Sequence, residues 1–415
     1  KDGHDFVKEA IVKGAKKAVV NRLIRGINSK KLIRVPNTLI ALNNLAKVTR
    51  HHTKAKIIGI TGSSGKTTLK DMTSFVLKNF DKTSSSKSSF NNQYGVPLSV
   101  SNLQEKDVFG VFELGMDKKG EINSLSNILK PDIAVITNIS SAHLKNFKST
   151  KEIARAKSEI INNLVAQDIL ILNRDDKFFG YIAQKARKKN VQVKSFGLKK
   201  SADLYLKSIK KNKNIYQVSI SHNNEIYLFN IKNNHNTYIQ NVLSTCLIMF
   251  NLDLDLSGKK NIFLNFKIPE GRGDVNQIKI FKKKFYLLDE SYNANPHSMR
   301  LAINYLNSFD KKKNQKILLL GDMLELGKKT NFFHKNLAKY INNSNIDKVF
   351  VIGKYILETY KLIKKNKKGK ILNTMGDISG VIKNYINDND LVMIKGSNAT
   401  GLNNFSKKLK GGEIN

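Results

Sequence analysis

The sequence predicts an α/β protein built on two parallel sheets. Three observations carry this expectation. Short apolar runs alternate with stretches of helical spacing from Lys56 onward. A Gly/Ser/Thr loop stands between the first of those runs and the helix after it. A second series of apolar strands, again separated by helical stretches, begins past Gly271.

Taken in order, Phe6 to Ala15 has helical spacing, Ala18-Val19-Val20 suits a strand, and Thr38 to Val48 is helical again. This opening stretch is too poor in apolar residues for an independent core, and reads as the end of a domain whose beginning is missing. Ile57-Ile58-Gly59-Ile60, Val108–Phe112, Ile133–Ile136 and Ile169–Leu172 are short apolar runs suited to strands buried on both faces. Helices are expected from Thr68 to Phe80 and from Lys151 to Leu164, and a short loop over Ser84–Ser89. Tyr205 to Ile231 alternates apolar and polar residues around Asn223-Asn224, the signature of an antiparallel ribbon. Tyr238 to Phe250 reads as a buried helix, with Cys246 as a buried thiol. In the last third, Tyr286–Leu288, Ile317–Leu320, Val349–Ile352 and Leu391–Ile394 are the strands of a Rossmann-like body.

The 415 residues include 72 Lys+Arg against 33 Asp+Glu, a formal net charge of +39. Nine of the basic residues are Arg and 63 are Lys, and Asn occurs 49 times. Nucleic-acid binders cluster their basic residues and use Arg for bidentate contacts. Here Lys is scattered along the chain, so the charge reads as a solvated surface of AT-rich codon origin, with no specific nucleic-acid partner expected. The single cysteine excludes a disulfide framework and Cys-ligated zinc. No run approaches the roughly 20 apolar residues of a membrane span. A reducing, cytoplasmic compartment and no membrane insertion are expected.

Thr61-Gly62-Ser63-Ser64-Gly65-Lys66-Thr67-Thr68 joins a strand to a helix, the setting a phosphate loop requires. Glycines let backbone N–H groups approach phosphate oxygens, and the helix N-terminus adds partial positive charge. Lys66 would reach the outer phosphates and the Thr67 hydroxyl would ligate Mg2+. The loop implies a nucleotide and leaves the reaction open. Glu113, in Glu113-Leu114-Gly115, and His143, in Ala142-His143-Leu144, follow separate strands and face the same crevice, which points to a metal site.

With these segments, Asn91-Asn92-Gln93-Tyr94-Gly95-Val96-Pro97, Ala156-Lys157-Ser158-Glu159, Asp289-Glu290-Ser291-Tyr292-Asn293-Ala294-Asn295-Pro296, Gly321-Asp322-Met323-Leu324-Glu325-Leu326-Gly327 and Lys395-Gly396-Ser397, the chain resembles the Mur ligase family over nearly its whole length. The resemblance implies three domains: a partial UDP-substrate-binding domain over 1–54, a central ATP-binding phosphate-loop domain over 55–270 and a C-terminal Rossmann-like domain over 271–415. It implies an ATP-dependent, peptide-bond-forming ligase of peptidoglycan precursor synthesis. The segments Ser291–Pro296 and Gly321–Gly327 point to the branch that joins D-alanyl-D-alanine to UDP-N-acetylmuramoyl-tripeptide through an acyl phosphate, with the enzyme a monomer.

The resemblance also implies roles. Gly62, Ser63, Ser64, Gly65, Lys66, Thr67 and Thr68 cradle the ATP phosphates. Thr67 and Glu113 hold one Mg2+, and His143 a second. Lys157 matches a lysine that the family carbamylates; without the resemblance it reads as a solvated lysine on an amphipathic helix. Asn293 and Asn295 match the adenine-side segment, and Arg272 a hinge arginine that reaches a phosphate. Asn91 and Asn92 match a substrate-facing loop, while Asp322 and Glu325 match the dipeptide side. Two positions depart from the family: Glu290 where Asp is usual, and Asn398 where Arg is usual. Another Mur ligase or a folylpolyglutamate synthase remains the rival enzyme, and a basic nucleic-acid-binding ATPase the rival of another class.

Overall fold

The structure is a computed structural model and describes residues 2–141, 144–213, 215–310 and 314–414. It contains three sheets. The first pairs β1 (Ala18–Val20) in parallel with β2 (Leu32–Arg34). The helix α1 (Val7–Val12) precedes them and ends earlier than its spacing suggests, ahead of Gly14. The long helix α2 (Thr38–His52), capped by the Asn37 side chain, leads out of this piece. Arg50 fastens it to the next body: its guanidinium donates to the carbonyls of Leu129 and Lys130 at 2.8 and 2.7 Å and pairs with Asp132 at 3.1 Å.

The second sheet has nine strands: β3 (Lys56–Thr61), β4 (Thr83–Ser85), β5 (Phe109–Glu113), β6 (Ile133–Ile136), β7 (Ile169–Asn173), β8 (Gln192–Gly197), β9 (Leu204–Asn212), β10 (Ile215–His222) and β11 (Glu225–Ile231). Their spatial order is β11-β10-β9-β8-β7-β6-β3-β5-β4. From β4 to β9 all neighbours are parallel, and β9, β10 and β11 form antiparallel pairs. The expected ribbon is therefore the edge of this sheet. Its hairpin turns at Asn223 and Asn224, both with positive φ (49° and 68°), as a two-residue turn between twisted strands requires.

The apolar runs are explained by burial on both faces. Ile57, Phe112, Ala134 and Leu172 enter one core, while Ile58, Ile60, Val111, Val135 and Ile171 enter the other. Successive residues thus alternate between two helical layers, so no polar face appears in the sequence. The layers include α3 (Lys66–Leu77), α4 (Gly95–Ser101), α5 (Glu121–Leu129), α6 (Thr150–Lys157), α7 (Phe179–Arg187) and α8 (Asn236–Phe250). Cys246 is fully buried within α8. Two expectations are corrected. The helical stretch from Lys151 does not continue to Leu164; it tightens to 3-10 geometry over Ser158–Asn163. The serine-rich segment is not all loop, since Thr83–Ser85 forms the parallel edge strand beside β5.

The third sheet contains β12 (Asp274–Ile280), β13 (Lys283–Asp289), β14 (Lys316–Gly321), β15 (Lys348–Ile352), β16 (Lys368–Leu372) and β17 (Leu391–Lys395), in the order β12-β13-β17-β14-β15-β16. All pairs are parallel except β12 with β13. The helix α9 (Pro296–Ser308) follows β13, and the helix Leu402–Gly411 packs on β12 and β17. No helix among the described residues is long and apolar enough to cross a membrane.

Candidate active site

Strand order places the phosphate loop. β3 lies between β5 and β6, with Ile60 paired to Glu113 on one side and Thr61 to Ile136 on the other. The chain thus departs in both directions from the end of β3, and the crevice so formed receives the loops after β3, β5 and β6.

The loop is held from β6. Ser63 N–H donates to the Asn138 carbonyl (2.9 Å), Ser64 N–H to Asn138 Oδ1 (3.2 Å), and the Thr137 hydroxyl to the Ser64 carbonyl (2.7 Å). Gly62 is obligatory: a Cβ there would stand 1.9 Å from Thr137 Oγ1, and its φ is 149°. Gly65 starts α3, so the helix's first N–H groups face the loop. Lys66 Nζ bends back to donate to the Gly62 carbonyl (3.0 Å) and lies 3.9 Å from Glu113 Oε1.

Glu113 is 1% exposed. Its Oε2 accepts the Thr67 hydroxyl at 2.6 Å and its Oε1 accepts Asn91 Nδ2 at 2.7 Å. Burial alone would raise its pKa; the cations of Lys66 and Arg272, with the two hydrogen bonds, outweigh burial and hold the carboxyl below its ordinary value. Burial lowers the Lys66 pKa, Glu113 opposes that, and Arg272 adds to it. Asn91 therefore has a partner other than substrate: its amide orients Glu113, and its carbonyl accepts Gly115 N–H at 2.7 Å. Gly115 permits this approach, since a Cβ there would lie 2.7 Å from Asn91 Oδ1. Asn92 Oδ1 caps α4 through Tyr94 and Gly95 N–H.

Lys157 is not solvated. It ends α6 at 1% exposure, and burial, reinforced by the Lys66 charge, pushes its pKa well below the usual lysine value against the opposing pull of Glu113 and Asp117. His143 lies outside the described residues.

The third sheet contributes the opposite wall. Arg272 sits on the Gly271–Gly273 turn, which Asp274 fixes by accepting Gly271 N–H (2.9 Å) and Asp289 by accepting Gly273 N–H through its carbonyl (2.7 Å). Its guanidinium stacks on the Tyr292 ring, 4.0 Å from the centroid. Lys395, 1% exposed, donates to Glu290 Oε2 (3.1 Å) and to the carbonyls of Glu290 and Asn293 (3.3 and 3.0 Å). Glu290 is thus paired with Lys395.

Ser63, Ser64, Gly65, Lys66, Thr68, Asn91, Asn92, Glu113, Lys157, Arg272, Asn293, Asn295 and Asn398 all line one cavity of about 890 Å³ between the two large sheets. That volume suits a nucleotide together with part of a second substrate. Thr67 is buried behind Glu113. Asn295 lines the cavity and also caps α9, its Oδ1 accepting Ser298 N–H at 2.9 Å.

Asp322 and Glu325 stand apart from this lining. The Asp322 carboxylate accepts the N–H groups of Lys354, Tyr355 and Ile356 at 3.0, 2.9 and 2.7 Å. Glu325, with φ of 62°, accepts Lys145 N–H through its carbonyl at 2.9 Å and so ties the third body to the loop after β6.

Sequence reasoning missed the wall formed by His235, Tyr238, Asn241 and Tyr305. His235 packs on Tyr305 with centroids 4.6 Å apart and contacts the Leu301 carbonyl, joining α8 to α9. Asn241, 4% exposed, has no partner for Nδ2 among the described residues, and its Oδ1 faces Gly65. The available signal was an amide immediately ahead of the mostly apolar stretch Val242–Phe250.

Thr67 Oγ1 and Glu113 supply two oxygen donors at the phosphate end of the cavity, a set that suits Mg2+ completed by phosphate and water. Among the described residues no group of three His, Cys, Asp or Glu side chains forms a metal cage.

The sequence matches the family model of the Mur ligase middle domain over residues 60–249 and that of the Mur ligase, glutamate ligase domain over 278–398. It is 31% identical to the UDP-N-acetylmuramoyl-tripeptide–D-alanyl-D-alanine ligase of Rickettsia prowazekii (strain Madrid E), across 97% of this chain and 88% of that one. The enzyme of the same name from Bacillus subtilis (strain 168) is 31% identical, across 98% of this chain and 88% of its own. The fold superposes on MurF from Acinetobacter baumannii with a TM-score of 0.86 at 26% identity, covering 99% and 88% of the two chains. For MurF ligase from Thermotoga maritima in complex with ADP the TM-score is 0.83 at 25% identity, with 99% and 92% covered. These matches place the chain in the Mur ligase family, among the UDP-N-acetylmuramoyl-tripeptide–D-alanyl-D-alanine ligases.

Proposed function

We propose that the chain joins D-alanyl-D-alanine to UDP-N-acetylmuramoyl-tripeptide with ATP as the energy source. The observation that carries this is the convergence of Lys66, Glu113, Lys157 and Arg272 on one cavity between the phosphate-loop body and the C-terminal body. A carboxylate is a poor acylating group because oxide would have to leave. Its oxygen therefore attacks the γ-phosphorus of ATP, ADP departs, and an acyl phosphate forms. The dipeptide amine then attacks the acyl carbon, phosphate leaves, and the amine loses its proton as the amide forms.

The chain's residues make this feasible. The loop N–H groups and Lys66 hold the triphosphate and offset its charge as the anionic carboxylate approaches. Arg272 adds a cation from the hinge, so the full positive set assembles only when the two bodies meet. Thr67 and Glu113, steered by Asn91, would hold Mg2+, which supplies charge neutralisation at the phosphates. Asn293 and Asn295 face the base, together with His235, Asn241 and Tyr305. Asp322 and Glu325 shape the dipeptide side indirectly, by ordering the loops they bind.

Lys157 is carbamylated in this reading. An amine attacks CO2 only when neutral, and burial favours the neutral form. Carbamylation forms an N–C bond, releases a proton and turns a buried amine into an anion. The division into 1–54, 55–270 and 271–415 belongs to the same reading, supported by the three separate sheets. So do a cytoplasmic location and a monomeric enzyme.

The test is ADP release. It is expected to need both the UDP-linked tripeptide and D-alanyl-D-alanine; ADP formed at the same rate without the dipeptide contradicts the reading.

A further inference from the structure

Ser89 stands where the two bodies touch. The segment before it is pinned from the central body: Lys70, 1% exposed and paired with Asp71 at 2.8 Å, donates to the carbonyls of Ser86 and Ser88 at 2.7 and 2.8 Å. Ser88 takes the left-handed conformation, φ 44°, and presents Ser89 to the cavity. From the other body the Tyr292 phenol donates to Ser89 Oγ at 2.8 Å and Arg272 Nη2 donates to the same oxygen at 3.3 Å.

A hydroxyl has two acceptor positions and one proton. Tyr292 and Arg272 occupy both acceptor positions, so the Ser89 proton must point elsewhere. Among the described residues none accepts it. Ser89 lines the cavity with Lys66, Glu113 and Arg272, at the end where the outer phosphates are expected. Donation from a guanidinium also polarises the hydroxyl and makes it a stronger donor.

We propose that Ser89 is a phosphoryl-binding residue: its hydroxyl donates to an anionic oxygen at the outer end of the nucleotide phosphates, with Arg272 and Tyr292 as the positioning residues that turn it there. The two positioning residues belong to the C-terminal body and Ser89 to the central one. The donor is therefore aimed only while the bodies are in contact, which couples phosphate recognition to that contact. Only the identity of the nucleotide rests on the ligase reading above.

The test is calorimetric titration of the full-length protein with a non-hydrolysable ATP analogue and, separately, with ADP. Ser89→Ala is expected to weaken the analogue roughly tenfold to a hundredfold, the loss of one hydrogen bond to a charged group, and to change ADP by less than about twofold. Ser89→Thr, which keeps the hydroxyl, restores the analogue. Tyr292→Phe weakens it by about threefold through misdirection, and Ser89→Ala/Tyr292→Phe is no worse than Ser89→Ala alone. Equal weakening of ADP and analogue, additive effects in the double variant, or an unaltered Ser89→Ala protein overturns the proposal. Because no acceptor substrate is present, this result stands apart from the ligase reading. A wild type that binds in this pattern but makes no D-alanyl-D-alanine product breaks that reading alone.

Discussion

The nine-stranded and six-stranded sheets both end their parallel strands at the cavity, yet they use acidic residues at those ends differently. Glu113 ends β5, and its partners are side chains, the Thr67 hydroxyl and the Asn91 amide, which can turn aside for a metal or a phosphate. Asp322 follows β14, and its partners are three backbone N–H groups of the loop at Lys354–Ile356. Asp289 ends β13 and is buried against Lys410 Nζ at 2.8 Å and Ser291. A carboxylate satisfied by fixed backbone donors or by a buried cation is a structural part. One satisfied by movable side chains is available for chemistry. Position at a strand end creates the opportunity, and the kind of partner decides the use.

The sharpest way to break this contrast is to exchange activity for stability at matched sites. Lys66→Ala is expected to lower kcat about 10²–10³-fold, the scale of removing a preorganised charge donor, while changing the melting temperature little, because Arg272, Thr67 and Asn91 still face the Glu113 carboxylate. Lys157→Ala should lose activity on a similar scale, with partial rescue by small carboxylates that replace the carbamate. An unrescued variant, with an unmodified Lys157 seen by mass spectrometry of the wild type, counts against the carbamate. Asp322→Ala should do the reverse, costing about 2–4 kcal/mol of stability as backbone N–H groups lose their acceptor, measured by urea denaturation. A stable Asp322→Ala protein with no turnover would erase the distinction.

A smaller effect concerns His297 at the start of α9. Burial, reinforced by Arg300, lowers its pKa to about 4, and its Nδ1 has no partner among the described residues. The unfolded chain takes up a proton near pH 6.5, which the folded chain refuses until about 4. Stability therefore falls as the pH drops through that window, by about 1–3 kcal/mol. His297→Asn should flatten this acid limb in melting curves recorded between those pH values; an unchanged limb removes His297 from it. The smallest effect is that of Glu290→Asp. Shortening the side chain by one C–C bond, about 1.5 Å, draws the carboxylate away from Lys395. Because Lys395 keeps the carbonyls of residues 290 and 293, a loss of no more than about 1.5 kcal/mol, the scale of one hydrogen bond, and about twofold in kcat is expected.

The legible parts of the molecule were those written locally. A phosphate loop needs neighbouring residues only, and Gly62 to Thr68 contains it whole. The Asn223-Asn224 turn is local in the same way. Strands buried on both faces appear as apolar runs, so β3, β5, β6, β7, β14, β15 and β17 could be located. The half-exposed edge strand Thr83–Ser85 has no apolar residue to mark it. β12 alternates with charges on an exposed edge and is equally silent. Lys157 lay beyond residue pattern altogether, since a lysine on an amphipathic helix looks solvated until the tertiary fold buries it. Asp322 was misjudged for a related reason: the backbone donors that occupy it arrive from Lys354–Ile356, after another strand. The His235–Tyr305 contact spans α8 and α9, which no local signal joins.

The central claim is that the cavity between the two sheets makes one particular peptide bond. Its most direct test is a competition assay with ATP, UDP-N-acetylmuramoyl-tripeptide and equal amounts of D-alanyl-D-alanine, D-glutamate and diaminopimelate, with products read by mass spectrometry. The account predicts a single product, heavier than the tripeptide substrate by one dipeptide residue pair and formed with one ADP per bond. Incorporation of D-glutamate or diaminopimelate at a comparable rate would contradict it.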